Sequence, residues 1–423
     1  MHREARFPNV IFDARLRPRN AAFALMLTLF LLLFFLVFLT LTASPAQGQN
    51  FNVIYNFTGG ADGLWPGGLT IDAHGNLYGT ANGGEFGHGT VYRLTHNTSG
   101  WHLDPLYAFS GRDGWAPLSR VLFGPGGALY GTSWAGGDNR SGNVFSLIPP
   151  RTAREKHWFE TVLYNFMGGS DGDTPLGDPI FDQEGNIYGV TYAGGYGYGI
   201  VFELSRNGWN ESVIYRFTGG NDGARPNGVT LQAGNLYGTT IWGGGFGYGT
   251  VFKLTSSGSG WAENTLYSFQ GGHDGGYSRS GVIFDSVGNM YGSTSDDAGG
   301  AYGPGTIWEL MPSGSSWTFS TLYNFTAPGC AQPEGPVAPL TMDQAGNLYG
   351  TTYGNGAYCY GSVFKLSPSK GGQWTYTSLH DFTGGSDGAS PGGNVIIDAS
   401  GNLYGTAYIG GANGLGVVWE TTP

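Results

Sequence analysis

One short string, GNLYGT with small variations, occurs seven times along this chain. Its tyrosines are Tyr78, Tyr130, Tyr188, Tyr237, Tyr291, Tyr349 and Tyr404, spaced by 49 to 58 residues. A period of ~50 residues matches the longer propeller blades. Two further strings keep step with it. An LYNF-like string runs from IYNF at 54–57 to LHDF at 379–382, and a GTVF-like string from GTVY at 89–92 to GVVW at 416–419. A chain that repeats one unit this often stacks copies of one supersecondary element.

Each unit reads as four short strands, A to D. In the first unit they are expected at 68–72, 76–81, 89–94 and 103–109. The runs are rich in Val, Ile, Leu, Tyr and Phe and are bounded by Gly, Asn and Asp. The A–B links, such as DAHGN at 72–76, suit tight hairpins, because Asp accepts backbone hydrogen bonds and Gly supplies positive φ. No helical pattern follows residue 50. With 78 Gly among 423 residues, collagen or disorder has to be considered. No G-X-Y period exists, and disordered chains are poor in aromatics. The fold expected is therefore all-β: a seven-bladed β-propeller of four-stranded blades.

The phase of the repeat predicts how the ring closes. Residues 51–57 read as a D strand, and 415–421 as a C strand with no D strand after it. The N-terminal strand then completes the last blade. A closed ring leaves only short, protected edges, whereas a linear solenoid would need capping repeats.

Residues 1–46 stand apart from the propeller of 47–423. Five Arg precede an uncharged apolar run from about Ala21 to Ala43, and Ser44-Pro45-Ala46 offers a cleavage site. This is the layout of a signal peptide. The run also approaches the ~20 residues that span a bilayer, so an uncleaved anchor is the alternative. Either way the rest is exported, to the periplasm, the cell envelope or beyond, and touches a membrane only through this segment. Removing 1–46 takes five Arg but only Glu4 and Asp13, leaving 14 basic and 28 acidic residues and a formal charge of −14. Nucleic acid is a poor partner for such a surface. Cys330 and Cys359 are the only cysteines, and the topology puts both on one face of the sixth blade. A disulfide is expected between them.

The ordered set YNFTGGxDGxxP, DxxGNLYGTT and GGxxGxGTVFKL resembles the GloVer (Gloeo/Verruco) tandem repeat of bacterial choice-of-anchor exported proteins. It covers nearly all of 51–423. The resemblance implies export and repeat architecture, and it implies no reaction.

Strand alternation sorts the loops. The D–A crossovers share one face with the B–C loops. The crossovers carry Asp62, Asp171, Asp222, Asp274 and Asp387 in GGxDG, with Asp113 in the variant SGRDG. The B–C loops carry glycine–aromatic runs whose rings include Phe86, Tyr196, Tyr198, Phe246, Tyr248, Tyr302, Tyr358 and Tyr360. His88 and His273 belong to the same face. Trp65, Trp115, Trp134 and Trp242 do not follow the repeat and lie near these loops, which makes them candidates for ligand stacking. Rings offer apolar surface to a sugar, and carboxylates accept from hydroxyls or hold a cation. The plainer reading is that each Asp fixes its own turn and each ring packs on the next blade. The recurrence favours that reading.

One Asp per loop lacks the spaced oxygens of a calcium loop. No cofactor is expected, and calcium is the one cation considered. No HExxH or phosphate loop occurs. The preferred reading is a monomeric, non-catalytic exported protein that binds a glycan or a protein at the envelope. The alternatives are a polysaccharide hydrolase or lyase that uses the face carboxylates, or a purely structural envelope protein.

Overall fold

The computed structural model describes residues 50–152, 157–258, 260–296, 304–326, 329, 330 and 334–422. The expected signal or anchor at 1–46 and the ring of Tyr302 lie outside the described residues. Seven four-stranded antiparallel sheets follow one another along the chain as the blades of a propeller. Blade 1 holds strand A at Leu64–Ile71, B at Leu77–Asn82, C at Thr90–Asn97 and D at Gly100–Ala108. Strand A starts earlier than the sequence pattern suggested, because Leu64–Pro66 already pairs with strand B. In blades 2, 5, 6 and 7 strand A is only two residues long, as at Leu122–Phe123. No helix among the described residues is long and apolar enough to cross a membrane.

The ring closes as the phase of the repeat requires. The seventh sheet runs Ile396–Ile397, Leu403–Ala407, Val417–Thr421 and finally Phe51–Asn56. Phe51 pairs with Thr421 and Asn56 with Val417. Around this seam the Asn56 side chain accepts from the Ala412 N–H at 2.7 Å, and Asn413 Nδ2 donates to the Phe57 carbonyl at 2.8 Å.

The repeated residues are explained by the contacts between blades. The Phe that ends each D strand is fully buried in most blades and meets an aromatic ring on strand C of the next blade. Phe109 meets Phe145 at 5.0 Å and Phe166 meets Phe202 at 5.1 Å. Across the seam, Phe382 meets Trp419 at 6.3 Å and Phe57 meets Tyr92 at 5.3 Å. Each such edge-to-face pair adds to the ~2–3 kcal/mol gained by burying the ring itself. The rim of the strand-C ring also reaches the Gly of LYGT. A Cβ on Gly131 would stand 2.7 Å from Phe145, and one on Gly405 would stand 2.3 Å from Trp419. That steric limit keeps glycine in the string. The Trp near the start of strand D packs on the LYGT tyrosine of the preceding blade, as Trp261 does on Tyr188 at 6.4 Å.

The single disulfide joins Cys330 to Cys359, with Cα atoms 5.4 Å apart. It marks a chain that matures in an oxidising environment.

Candidate functional site

The crossover aspartates come first, because their chemistry decides what the face can do. Asp222 accepts from the Tyr215 hydroxyl at 3.0 Å, the Thr218 N–H at 2.8 Å and the Thr218 hydroxyl at 2.6 Å. Asp62 binds Tyr55 and Thr58 in the same way. Asp113 holds Tyr107 and Ser110, Asp171 holds Tyr164 and Met167, and Asp274 holds Tyr267 and Gln270. In blade 6, Asp387 uses His380 in place of a tyrosine, at 3.0 Å. Burial first, and then the aspartate alongside, push the phenols of Tyr55, Tyr107 and Tyr267 well above their usual range. These six carboxylates are thus engaged in closing turns. The crossover into blade 6 has no such aspartate. There the disulfide ties crossover to loop, and Tyr323 stacks on Tyr376 at 4.5 Å.

A second recurring device sits at the end of the D–A crossover, at or ahead of strand A. Trp65, Ala116, Thr174, Arg225, Tyr277 and Ser390 all adopt positive φ, between 52° and 61°. Each donates its N–H to a B–C loop carbonyl of the preceding blade: Trp65 to Leu415 at 2.9 Å, Arg225 to Tyr198 at 2.7 Å and Tyr277 to Tyr248 at 2.9 Å, for example. The latch fixes the backbone and leaves the side chain free to vary. Trp65 stacks on Tyr408 at 5.6 Å, the Arg225 guanidinium lies 4.5 Å over the Tyr192 ring, and Tyr277 meets Trp242 at 4.6 Å.

The loop rings divide into two kinds. Those nearer strand C rest on the D–A crossover that leaves their own blade: Tyr198 over Gly219, Tyr360 over Gly384, Tyr248 beside Gly276 and the His88 ring over Gly111. His88 also meets Trp115 edge-on at 5.8 Å. The rings at the loop tips stand out instead: Phe86, Tyr196, Phe246 and Tyr358 are 56–68% exposed. At the same tip position blades 2 and 7 carry Asn139 and Asn413, whose amides donate to the carbonyls of Phe166 and Phe57. His273 sits in a short 3-10 turn, and its carbonyl accepts from the Thr321 hydroxyl at 3.1 Å.

The seven innermost strands wall a central cavity of about 330 Å³. Trp134 is the one sequence-selected tryptophan that reaches it. Sequence reading missed the other polar groups there. Arg120 and Asp178 form a pair in which Asp178 accepts from the Arg120 N–H at 2.8 Å and meets its Nε at 3.1 Å. Asn394 exchanges two bonds with the Leu69 backbone, at 3.1 and 3.2 Å. Asn227 and Arg279 also line the wall, and Arg279 meets Glu334 at 3.3 Å. The available signal was their failure to recur, since other blades place Gly, Leu, Val or Pro at these inner positions.

The model of the Gloeobacter/Verrucomicrobia repeat matches residues 40–197 and 177–419. The chain belongs to this repeat family. No curated protein matches it. Among solved structures, this Gloeobacter/Verrucomicrobia repeat protein is similar to an ulvan lyase of polysaccharide lyase family PL25, at 14% identity over 85% of this chain and 93% of that one, with a TM-score of 0.52. The same lyase bound to -[GlcA(1-4)Rha3S]- gives 13%, 85%, 93% and 0.51. A luciferin-regenerating enzyme gives 12% identity over 89% of this chain and 96% of that one, with a TM-score of 0.47. At these identities the likeness to the lyase shows the fold alone.

Two crossovers of the repeat protein spell GGSDG, at 168–172 and 384–388. That string fits a nucleophile elbow in letters only, because no helix follows it. Among the described residues no group of three or more His, Cys, Asp or Glu is placed to share a metal.

Proposed function

We propose that the face formed by the B–C loops and D–A crossovers binds a polysaccharide without cleaving it. One observation carries this reading. Twelve large aromatic side chains are exposed among the described residues, and ten of them, all but Phe123 and Phe159, belong to the loops and crossover ends of this one face. Large rings left exposed together on one face suit contact with a ligand. Flat rings at several separate loop tips suit an extended ligand with repeating C–H faces. The crossover carboxylates are held by tyrosines and turn backbone, which argues for binding over acid–base chemistry.

The test is binding of the mature chain to immobilised polysaccharides, alongside release of new sugar ends from the same polymers. The wild type is expected to bind and to release nothing. Joint replacement of Phe86, Tyr196, Phe246 and Tyr358 by Ala is expected to abolish binding while leaving the fold intact. Release of sugar ends would establish the lyase or hydrolase alternative. Absence of binding across the panel would leave a protein partner or a structural role.

A further inference from the structure

We infer that the central cavity takes a single sugar ring at the end of a bound glycan, between the Asn227–Arg279 side and Trp134. This rests on the carbohydrate reading above and adds to it where, and by which end, the glycan is held.

The cavity is chemically uneven. Asn227 and Arg279 occupy equivalent positions, one residue beyond Pro226 and Ser278, on adjacent blades 4 and 5. The same position holds Leu118 and Leu176 in blades 2 and 3, and Gly392 in blade 7. One arc of the wall, at blades 4 and 5, is therefore polar at this position, and the adjoining arc at blades 2 and 3 carries Leu118, Leu176 and the half-exposed indole of Trp134 beside the Arg120–Asp178 pair.

The polar arc has unspent capacity. Asp178 and Asn394 use both side-chain ends as clasps between blades. Asn227 does not. It is only 9% exposed, and among the described residues its amide has no hydrogen-bond partner. Its amide atoms are not among the side-chain atoms sealed from solvent, so they stay open to water or a ligand. Arg279 meets Glu334 through one nitrogen, which leaves further guanidinium donors for a ligand. Asn227 donates and accepts, and Arg279 donates. That mixture matches neighbouring hydroxyl groups better than a lone anion or an apolar ring. Leu118, Leu176 and Trp134 offer the adjoining wall, on which the C–H face of a pyranose would rest.

Size and enclosure narrow the choice further. About 330 Å³ lies at the lower end of small-molecule pockets, which run from ~300 to ~1,000 Å³. Seven strands surround the cavity, so a polymer crossing the face enters it only with a terminal residue. The polar positions lie near the start of strand A and hence near the aromatic face.

Two variants test this without touching the loop tips. A Cβ on Gly281 meets no atom within 4 Å, and Gly281 lines the cavity outside the left-handed region, so Gly281→Leu fills the space without strain. Asn227→Leu keeps the volume and removes the amide. Each is titrated with linear gluco-, xylo-, manno- and galacto-oligosaccharides, followed by tryptophan fluorescence and calorimetry, with near-UV circular dichroism to check the fold. Both variants are expected to bind the oligosaccharide that suits the wild type at least about tenfold more weakly. Both should still bind the long polymer through the loop tips. Equal oligosaccharide affinity in wild type and both variants would overturn the insertion and leave the face reading standing. A wild type that binds neither polymer nor oligosaccharide would remove both.

Discussion

Glu160 and Glu211 should make this propeller less stable as the medium turns from acid to neutral. Both lie on strand D, four residues before Tyr164 and Tyr215. The same position holds an aromatic ring in blades 5 and 6, and these rings stack on the preceding blade: Phe319 on Tyr267 at 4.1 Å and Tyr376 on Tyr323 at 4.5 Å. In blades 2 and 3 a carboxyl stands there instead, beside the pairs Tyr107–Asp113 and Tyr164–Asp171. Among the described residues one oxygen of each Glu is buried without a partner. Burial first, and then the neighbouring aspartate, push both carboxyls up to about 7 from 4.5. A raised carboxyl stabilises the fold fully below its unfolded value and loses that contribution as pH rises through its folded value. Each shift would correspond to ~3 kcal/mol at ~1.36 kcal/mol per unit. Both groups are half-exposed and screened, so about 1 kcal/mol each is the reasonable expectation. Glu160→Gln with Glu211→Gln should therefore match the wild type near about pH 3.5 and exceed it by about 2 kcal/mol near about pH 8 in urea unfolding. A wild type whose deficit against the double variant does not grow between those conditions would refute the reasoning.

Three further outcomes follow from the packing. Gly131→Ala brings a Cβ to 2.7 Å from the Phe145 ring and should cost about 1–3 kcal/mol in chemical denaturation, while Gly126→Ala, with nothing within 4 Å but φ of 71°, should cost about 1 kcal/mol. Replacing Cys330 and Cys359 by Ser opens a link spanning 29 positions and should cost about 3–4 kcal/mol in the chain-entropy treatment, read as a lower urea midpoint. Tyr215→Phe leaves Asp222 without its phenol donor and should cost about 1.5–3 kcal/mol by the same assay.

Much of the architecture was legible in the sequence because it is written seven times. Gly131 and its equivalents recur because the rim of a ring reaches each of them, and the D-strand Phe recurs because the next blade supplies its partner. Phase disclosed the closure, since Phe51–Asn56 opens on the strand that Val417–Thr421 lacks. The face itself followed from strand alternation, but its inner detail did not. Arg120, Asp178, Asn227, Arg279 and Asn394 occur at positions where the repeat has no fixed residue, so no pattern singles them out. Only the ring brings residues far apart in sequence to one cavity: Leu69 and Asn394 are 325 positions apart and share two hydrogen bonds. Likewise, Tyr198 packs over Gly219 of the following crossover while Tyr196, two residues earlier in the same loop, stands free.

The cavity and the face around it exist only if the ring closes through Phe51–Asn56 beside Val417–Thr421. Asn52 pairs with Glu420 across that seam. Introducing cysteine at both, Asn52→Cys and Glu420→Cys, and mapping disulfides by mass spectrometry after mild oxidation tests this directly. The expected result is an intramolecular link between the two new cysteines, with Cys330–Cys359 intact. Free thiols, or links formed only between molecules, would contradict the closed ring.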